Sequence, residues 1–252
     1  MSGKYENRKE QKSNRRGVIL AAAIAVLLLV VLAVFFLKQD AGKSPDQAQT
    51  APETKEIMPK APEKPRIYLR NGLEIVDIGP YTGIYMEDGT DEILSGILMM
   101  KIVNTSDDVV EYAKITMDAN GETAEFAVST LLPGATIVLL EKNRMAYDKS
   151  VDYASGEMTC ENLALFKEPL SMLEDKLEVQ ILNGAINVTN ISDEDITGRI
   201  AICYKNVAAG VYYGGITYRI VLEGGLKAGE IRQMTASHFS ETGSEIMFIS
   251  II

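Results

Sequence analysis

Between Val18 and Leu37 the chain holds 20 consecutive residues with no polar or charged side chain. At about 1.5 Å rise per residue, a helix of that length spans about 30 Å, the thickness of a bilayer's hydrocarbon core. Lipid offers no partner to backbone N–H and C=O groups, so a helix is the form such a run takes. Arg15 and Arg16 stand directly before it, and Lys38 and Asp40 follow it. Residues 1–17 carry six Lys/Arg against two Glu. The basic flank stays in the cytoplasm, which places the C-terminal body on the outer face of the plasma membrane. The run is longer than the 7–15 residues of a signal peptide's apolar region, and no small-residue cleavage pattern follows it. A retained single-pass anchor at 18–37 is therefore expected.

Residues 38–66 hold five of the eight prolines, Pro45, Pro52, Pro59, Pro62 and Pro65. The remainder of this stretch is largely small, polar or charged and has too little apolar surface to build a core. A disordered stalk is expected, with an r.m.s. reach of about 30 Å as a coil and about 90 Å fully extended.

From Ile67 the apolar pattern changes to period two. Leu177, Val179 and Ile181 alternate with Glu178 and Gln180, and Ile216, Tyr218, Ile220 and Leu222 alternate with Thr217 and Arg219. This is the signature of half-buried antiparallel strands. Asn71-Gly72 and Asn183-Gly184 read as tight hairpin turns. One short helix is expected within 161–175, at Glu161–Phe166 or Leu170–Asp175. Residues 67–252 carry 13 Lys/Arg against 28 Asp/Glu. A body this acidic repels phosphate backbones, so nucleic acid is excluded as a partner.

The body also repeats itself. A strand ends at Asn104-Thr105-Ser106-Asp107-Asp108, and Leu131-Leu132-Pro133-Gly134 comes later. A second strand ends at Asn190-Ile191-Ser192-Asp193-Glu194, and Leu226-Lys227-Ala228-Gly229 comes later in turn. Asn and Asp bond their own backbone in such turns, and Gly takes the positive φ before a new strand. The expected fold is mainly β, with an N-terminal transmembrane helix, a flexible linker and two tandem antiparallel β-sandwiches at 67–168 and 169–252. A single larger sandwich is the alternative architecture.

The two sets Asn104, Ser106, Leu131, Gly134 and Asn190, Ser192, Leu226, Gly229 resemble the FxLYD-type immunoglobulin-like modules of bacterial envelope proteins. The layout, with Pro80-Tyr81-Thr82-Gly83 and Tyr212-Tyr213-Gly214-Gly215, is also similar to single-pass envelope proteins of Gram-positive bacteria. That resemblance implies a binding or spacer module with no inherited catalytic residues.

Signs of chemistry are few. His238 is the only histidine, and the two cysteines, Cys160 and Cys203, show no metal spacing. They are read as two separate thiols, with one disulfide as the alternative. Met158-Thr159-Cys160 resembles the Thr-x-Thr-Cys strand end of sortases, though in that family the histidine precedes the cysteine. Two acidic stretches, Glu87–Glu92 and Asp193–Asp195, offer oxygens of the kind calcium takes, but without the spacing of a calcium loop. Solvated acidic turns are the plainer reading. Neither a metal nor a cofactor is expected. Tyr212, Tyr213, Gly214 and Gly215 form a candidate partner-binding loop, because tyrosine gives contact area and a hydroxyl at low entropy cost. In the competing reading, Tyr204 and Tyr218 are core strand residues and Tyr212-Tyr213 cap a sandwich edge. The expected function is non-enzymatic: a membrane-tethered extracytoplasmic protein presenting β-modules to a protein or cell-wall partner. The alternatives are a sortase-like cysteine transpeptidase and an accessory or sensor subunit of a membrane complex.

Overall fold

The computed structural model describes residues 66–252, and they fall within one compact unit. The expected cytoplasmic tail (1–17), the expected membrane anchor (18–37) and all but the last residue of the expected stalk (38–66) lie outside the described residues. Among the described residues no helix is long and apolar enough to cross a membrane.

The described chain is mainly β. Its strands are β1 (Ile67–Tyr68), β2 (Leu73–Ile84), β3 (Ile93–Asn104), β4 (Val110–Ala119), β5 (Glu122–Leu131), β6 (Thr136–Leu140) and β7 (Met158–Leu165). They continue with β8 (Leu177–Leu182), β9 (Ala185–Asn190), β10 (Ile200–Ala208), β11 (Val211–Leu222), β12 (Ile231–Met234) and β13 (Ser244–Ile251). The only helical piece described is a 3-10 turn at Tyr153–Ser155. The helix expected within 161–175 does not form. Residues Met158–Leu165 pair instead with β4, from Val110↔Leu165 to Met117↔Met158, and tertiary pairing overrides a weak helical signal.

Four hairpins are closed by two consecutive residues with positive φ. Asn71-Gly72 and Asn183-Gly184 do this where the sequence placed turns, and Asn120-Gly121 and Ala209-Gly210 do the same. Two positive φ values match the strands' right-handed twist, which sets the register of each hairpin.

The strands form one seven-stranded sheet, in the order β1-β2-β3-β6-β11-β10-β13, and two three-stranded sheets, β5-β4-β7 and β12-β9-β8. Strand order reveals the duplication. The group β2-β3-β6 of the first half corresponds to β8-β9-β12 of the second, and β5-β4-β7 corresponds to β11-β10-β13. The large sheet therefore joins one kind of group from the first half to the other kind from the second. The join is the parallel pair β6–β11, at Ile137↔Tyr212 and Val138↔Tyr213, and every other strand pairing is antiparallel. The boundary expected at 168/169 falls between β7 and β8, yet the halves on either side share this sheet.

Each half is built around a core, and the first also takes in Tyr212 and Met247 of the second half. Leu73, Leu98, Ile115, Phe126 and Ile137 pack between the first half of the large sheet and β5-β4-β7. Ile186, Val188, Ile202, Tyr204 and Ile249 pack between the second half and β12-β9-β8. Burying each such side chain contributes about 1.5–3 kcal/mol. The two cores lie on opposite faces of the large sheet. Tyr212 points into the first core and pairs with Val207. Ile200, Ile202 and Tyr204 alternate into the second core, and Asn206 continues their face.

The repeated turns are built alike, bond for bond. Asn104 Nδ2 donates to the carbonyls of Asp108 (2.8 Å) and Leu131 (3.1 Å), and its Oδ1 accepts from Ser106 N (3.1 Å) and Oγ (2.7 Å). Asn190 makes the same bonds to Glu194 (2.8 Å), Leu226 (3.0 Å), and Ser192 N (3.0 Å) and Oγ (2.7 Å). Gly134 N and Gly229 N donate to the main-chain carbonyls of Asn104 and Asn190. Both asparagines are 0% exposed, and both are fully bonded, as buried amides must be.

Candidate functional site

The seam between the halves departs most from regular structure. β10 pairs evenly with β11 from Ile200↔Leu222 to Tyr204↔Tyr218, and pairing resumes only at Asn206↔Tyr213. Lys205 alone thus stands opposite four residues, Gly214 to Thr217. Glycine is needed there twice. Gly214 has φ +79° and lies against the Met86 side chain, and a Cβ on Gly215 would collide with the Ala127 carbonyl oxygen. Ser129 on β5 holds the bulge from the other side. Its Oγ donates to the Gly215 carbonyl (3.0 Å), and Thr217 Oγ1 donates to the Ser129 carbonyl (3.1 Å).

Two ionisable side chains are folded into this bulge. Lys205, 0% exposed, donates from Nζ to the carbonyls of Gly215 (3.2 Å) and Ile216 (2.9 Å). Glu87, in the β2–β3 loop, accepts from Leu140 N on β6 (3.0 Å) and from Gly215 N on β11 (2.8 and 2.9 Å). Its carboxylate therefore staples the two strands that join the halves. Burial pushes the Lys205 ammonium down to about 7, opposed by the charge of Glu87. Burial also raises the Glu87 carboxyl, against its backbone hydrogen bonds and the charge of Lys205. Each charge is disfavoured by desolvation and partly restored by the other.

The rest of the β2–β3 loop is bound partly across the same seam and partly within the first half. Asn206 Nδ2 donates to Met86 Sδ (3.3 Å), and the Tyr218 hydroxyl donates to the Met86 carbonyl (3.3 Å). His238 Nδ1 lies 2.7 Å from Asp91 Oδ2, and the imidazole stacks on Tyr218 with 5.0 Å between ring centres. Arg144 pairs with Asp88 and Glu92, both at 2.7 Å, and sits over the Tyr85 ring. Thr90 and Arg144 hold the Asp88 carboxyl down at about 2. The carboxylates of Glu87, Asp88, Asp91 and Glu92 thus each have a protein partner. Among the described residues no group of His, Cys, Asp or Glu is arranged to hold a metal ion.

Beside the clasped loop lies a cleft of about 420 Å³ that both halves line. Its floor is apolar, with Tyr81, Ile84 and Met86 from the first half and Val207, Tyr213 and Phe239 from the second. Asp91, Asn206, Ser237 and His238 add polar groups. A preformed, mostly apolar cavity with a few polar hooks, at the meeting of two units, is the usual form of a binding site.

Tyr212, Tyr213, Gly214 and Gly215, expected as a loop, belong to strand β11. The β6–β11 pairing orders them, and Tyr212, Gly214 and Gly215 are buried. Only Tyr213 reaches the cleft. Tyr204 and Tyr218 are strand residues packed in or against the second core, stacked at 5.3 Å. Sequence reasoning missed Glu87, Lys205 and the Asp91–His238 pair. The one available signal was a lysine directly after Ile200-Ala201-Ile202-Cys203-Tyr204, where a strand's buried run would otherwise continue.

Both cysteines are free thiols on different sheets, Cys160 in β7 and Cys203 in β10. Burial raises both thiols, with Arg70 and Arg219 as the opposing charges. A nucleophilic thiolate needs the reverse shift. Comparison of the chain with protein-family models, with curated proteins and with solved structures found no match.

Proposed function

We propose that this chain is a non-enzymatic, membrane-tethered protein of the extracytoplasmic face. It presents two fused immunoglobulin-like β-sandwiches, held off the bilayer by the 38–66 stalk, to a protein or cell-wall partner. The observation that carries this reading is the seam cleft, lined by both halves and backed by side chains already bonded to one another. Fixed aromatic and apolar walls favour docking over chemistry. A cysteine transpeptidase is the weaker reading, because burial disfavours both thiolates. Photo-crosslinking in intact cells tests the proposal. A benzophenone side chain at Ile84, on the cleft, should give one discrete adduct, whereas one at Tyr112 on β4 gives none. No adduct at Ile84, or equal labelling at both positions, overturns it.

A further inference from the structure

The chemistry of the cleft restricts what docks there. No lysine or arginine lines it. The two cations nearest the β2–β3 loop are engaged, Lys205 by carbonyl oxygens and Arg144 by Asp88 and Glu92. An anionic ligand would find only His238, already bonded to Asp91 at 2.7 Å, and would meet the field of a body with 13 Lys/Arg against 28 Asp/Glu. The cleft instead offers one carboxylate, Asp91, beside an apolar floor that includes the rings of Tyr81 and Tyr213. A cation on a hydrocarbon stem matches both features, since the stem covers the floor and the charge reaches the rim.

The choice between the two cationic side chains follows from Asp91 itself. His238 already occupies Oδ2, at 2.7 Å. One carboxylate oxygen is left. The fork of an arginine is matched to both oxygens of a carboxylate, whereas a compact ammonium is satisfied by one. We propose that the seam cleft takes a lysine side chain from a basic segment of the partner, its stem across Tyr81, Tyr213 and Met86 and its ammonium at Asp91. This assignment rests on the docking function proposed above and names the chemistry of that partner.

The test uses the full chain in nanodiscs of zwitterionic lipid and three fluorescent peptides of equal length. Their alternate residues are Lys, Arg or Nε-acetyl-lysine. The lysine peptide should bind several-fold more tightly than the arginine peptide and at least tenfold more tightly than the acetylated one. Asp91→Asn keeps a hydrogen-bonding partner for His238 and should weaken the lysine peptide at least tenfold. Asp107→Asn, at an exposed acidic turn away from the cleft, should leave it unchanged. Tyr213→Leu removes the ring but keeps an apolar side chain, and should weaken binding several-fold with an unaltered circular dichroism spectrum. Equal binding of the lysine and acetylated peptides overturns the proposal. So does equal loss in the Asp91 and Asp107 variants, which marks diffuse charge attraction, or displacement by a neutral cell-wall disaccharide. An Ile84 adduct in cells together with no lysine preference sinks the lysine assignment alone. Absence of that adduct sinks the docking function beneath it.

Discussion

The two halves follow one strand plan, and the difference that joins them lies in one strand. β5 of the first half pairs with β4 in unbroken register from Tyr112↔Ser129 to Ala119↔Glu122. Its counterpart β11 breaks register against β10 and pairs in parallel with β6. The regular strand completes a sandwich. The bulged one also joins two, and the bulge is where a buried lysine, a stapling carboxylate and two close-packed glycines collect. Duplicated units with the same turns are thus joined by a bulge in one copy and a clasping loop in the other.

The sharpest way to break that comparison is to remove the seam's buried charge. Lys205→Met leaves the Glu87 carboxylate without its compensating charge and the bulge carbonyls without their donor. Leaving those buried carbonyls without a donor costs about 1–3 kcal/mol. Denaturant unfolding should record that loss, and a cost below about 1 kcal/mol would mean the seam adds little to the fold.

The turns test what the halves share. Asn104→Ala and Asn190→Ala each leave buried backbone groups unpaired, at about 1–3 kcal/mol apiece. The two costs should agree within about 1 kcal/mol in chemical denaturation. A large inequality would show that identical bonding does not carry equal weight in the two halves.

The pH dependence of stability sharpens the contrast further. Lys205 lies at about 7 in the fold against its ordinary 10.5, so between those values the unfolded chain binds more protons. Stability from this group therefore rises with pH across that window, by of order 1–2 kcal/mol from pH 7 to 9. Glu87 is raised from 4.5, so its contribution falls as pH climbs just above that value. Melting followed at pH 7 and pH 9 should show the alkaline gain in the native chain and its absence in Lys205→Met. The same slope in both would clear Lys205 of responsibility. The smallest effect belongs to Arg144→Ala. Its side chain is 37% exposed and its partners Asp88 and Glu92 are 38% and 53% exposed, so solvent screening should leave the denaturation midpoint close to that of the native chain.

The β class and the repeated turns could be read directly because their signals are local. Period two reports half-burial, and Asn-x-Ser followed by Leu-x-x-Gly reports a turn that bonds itself. Asn183-Gly184 announces a hairpin for the same reason. The seam was hidden because nothing near Tyr212 in the chain names Ile137 as its partner. Paired tyrosines and glycines look alike in a binding loop and in a strand pressed on a neighbour's carbonyl. Residues 161–165 read as a helix because their strand pairing is with β4, more than forty residues earlier. Glu87 resembled the other carboxylates of its acidic run, and only the folded position of Gly215 sets it apart.

Calorimetry of the full chain tests the fused seam most directly. If β6 and β11 bind the halves into one cooperative unit, residues 66–252 should melt in a single transition whose calorimetric and van't Hoff enthalpies agree. Gly215→Val, which forces a side chain against the Ala127 carbonyl, should split it into two. Two transitions in the native chain, or an unsplit melt in that variant, would contradict the fused seam.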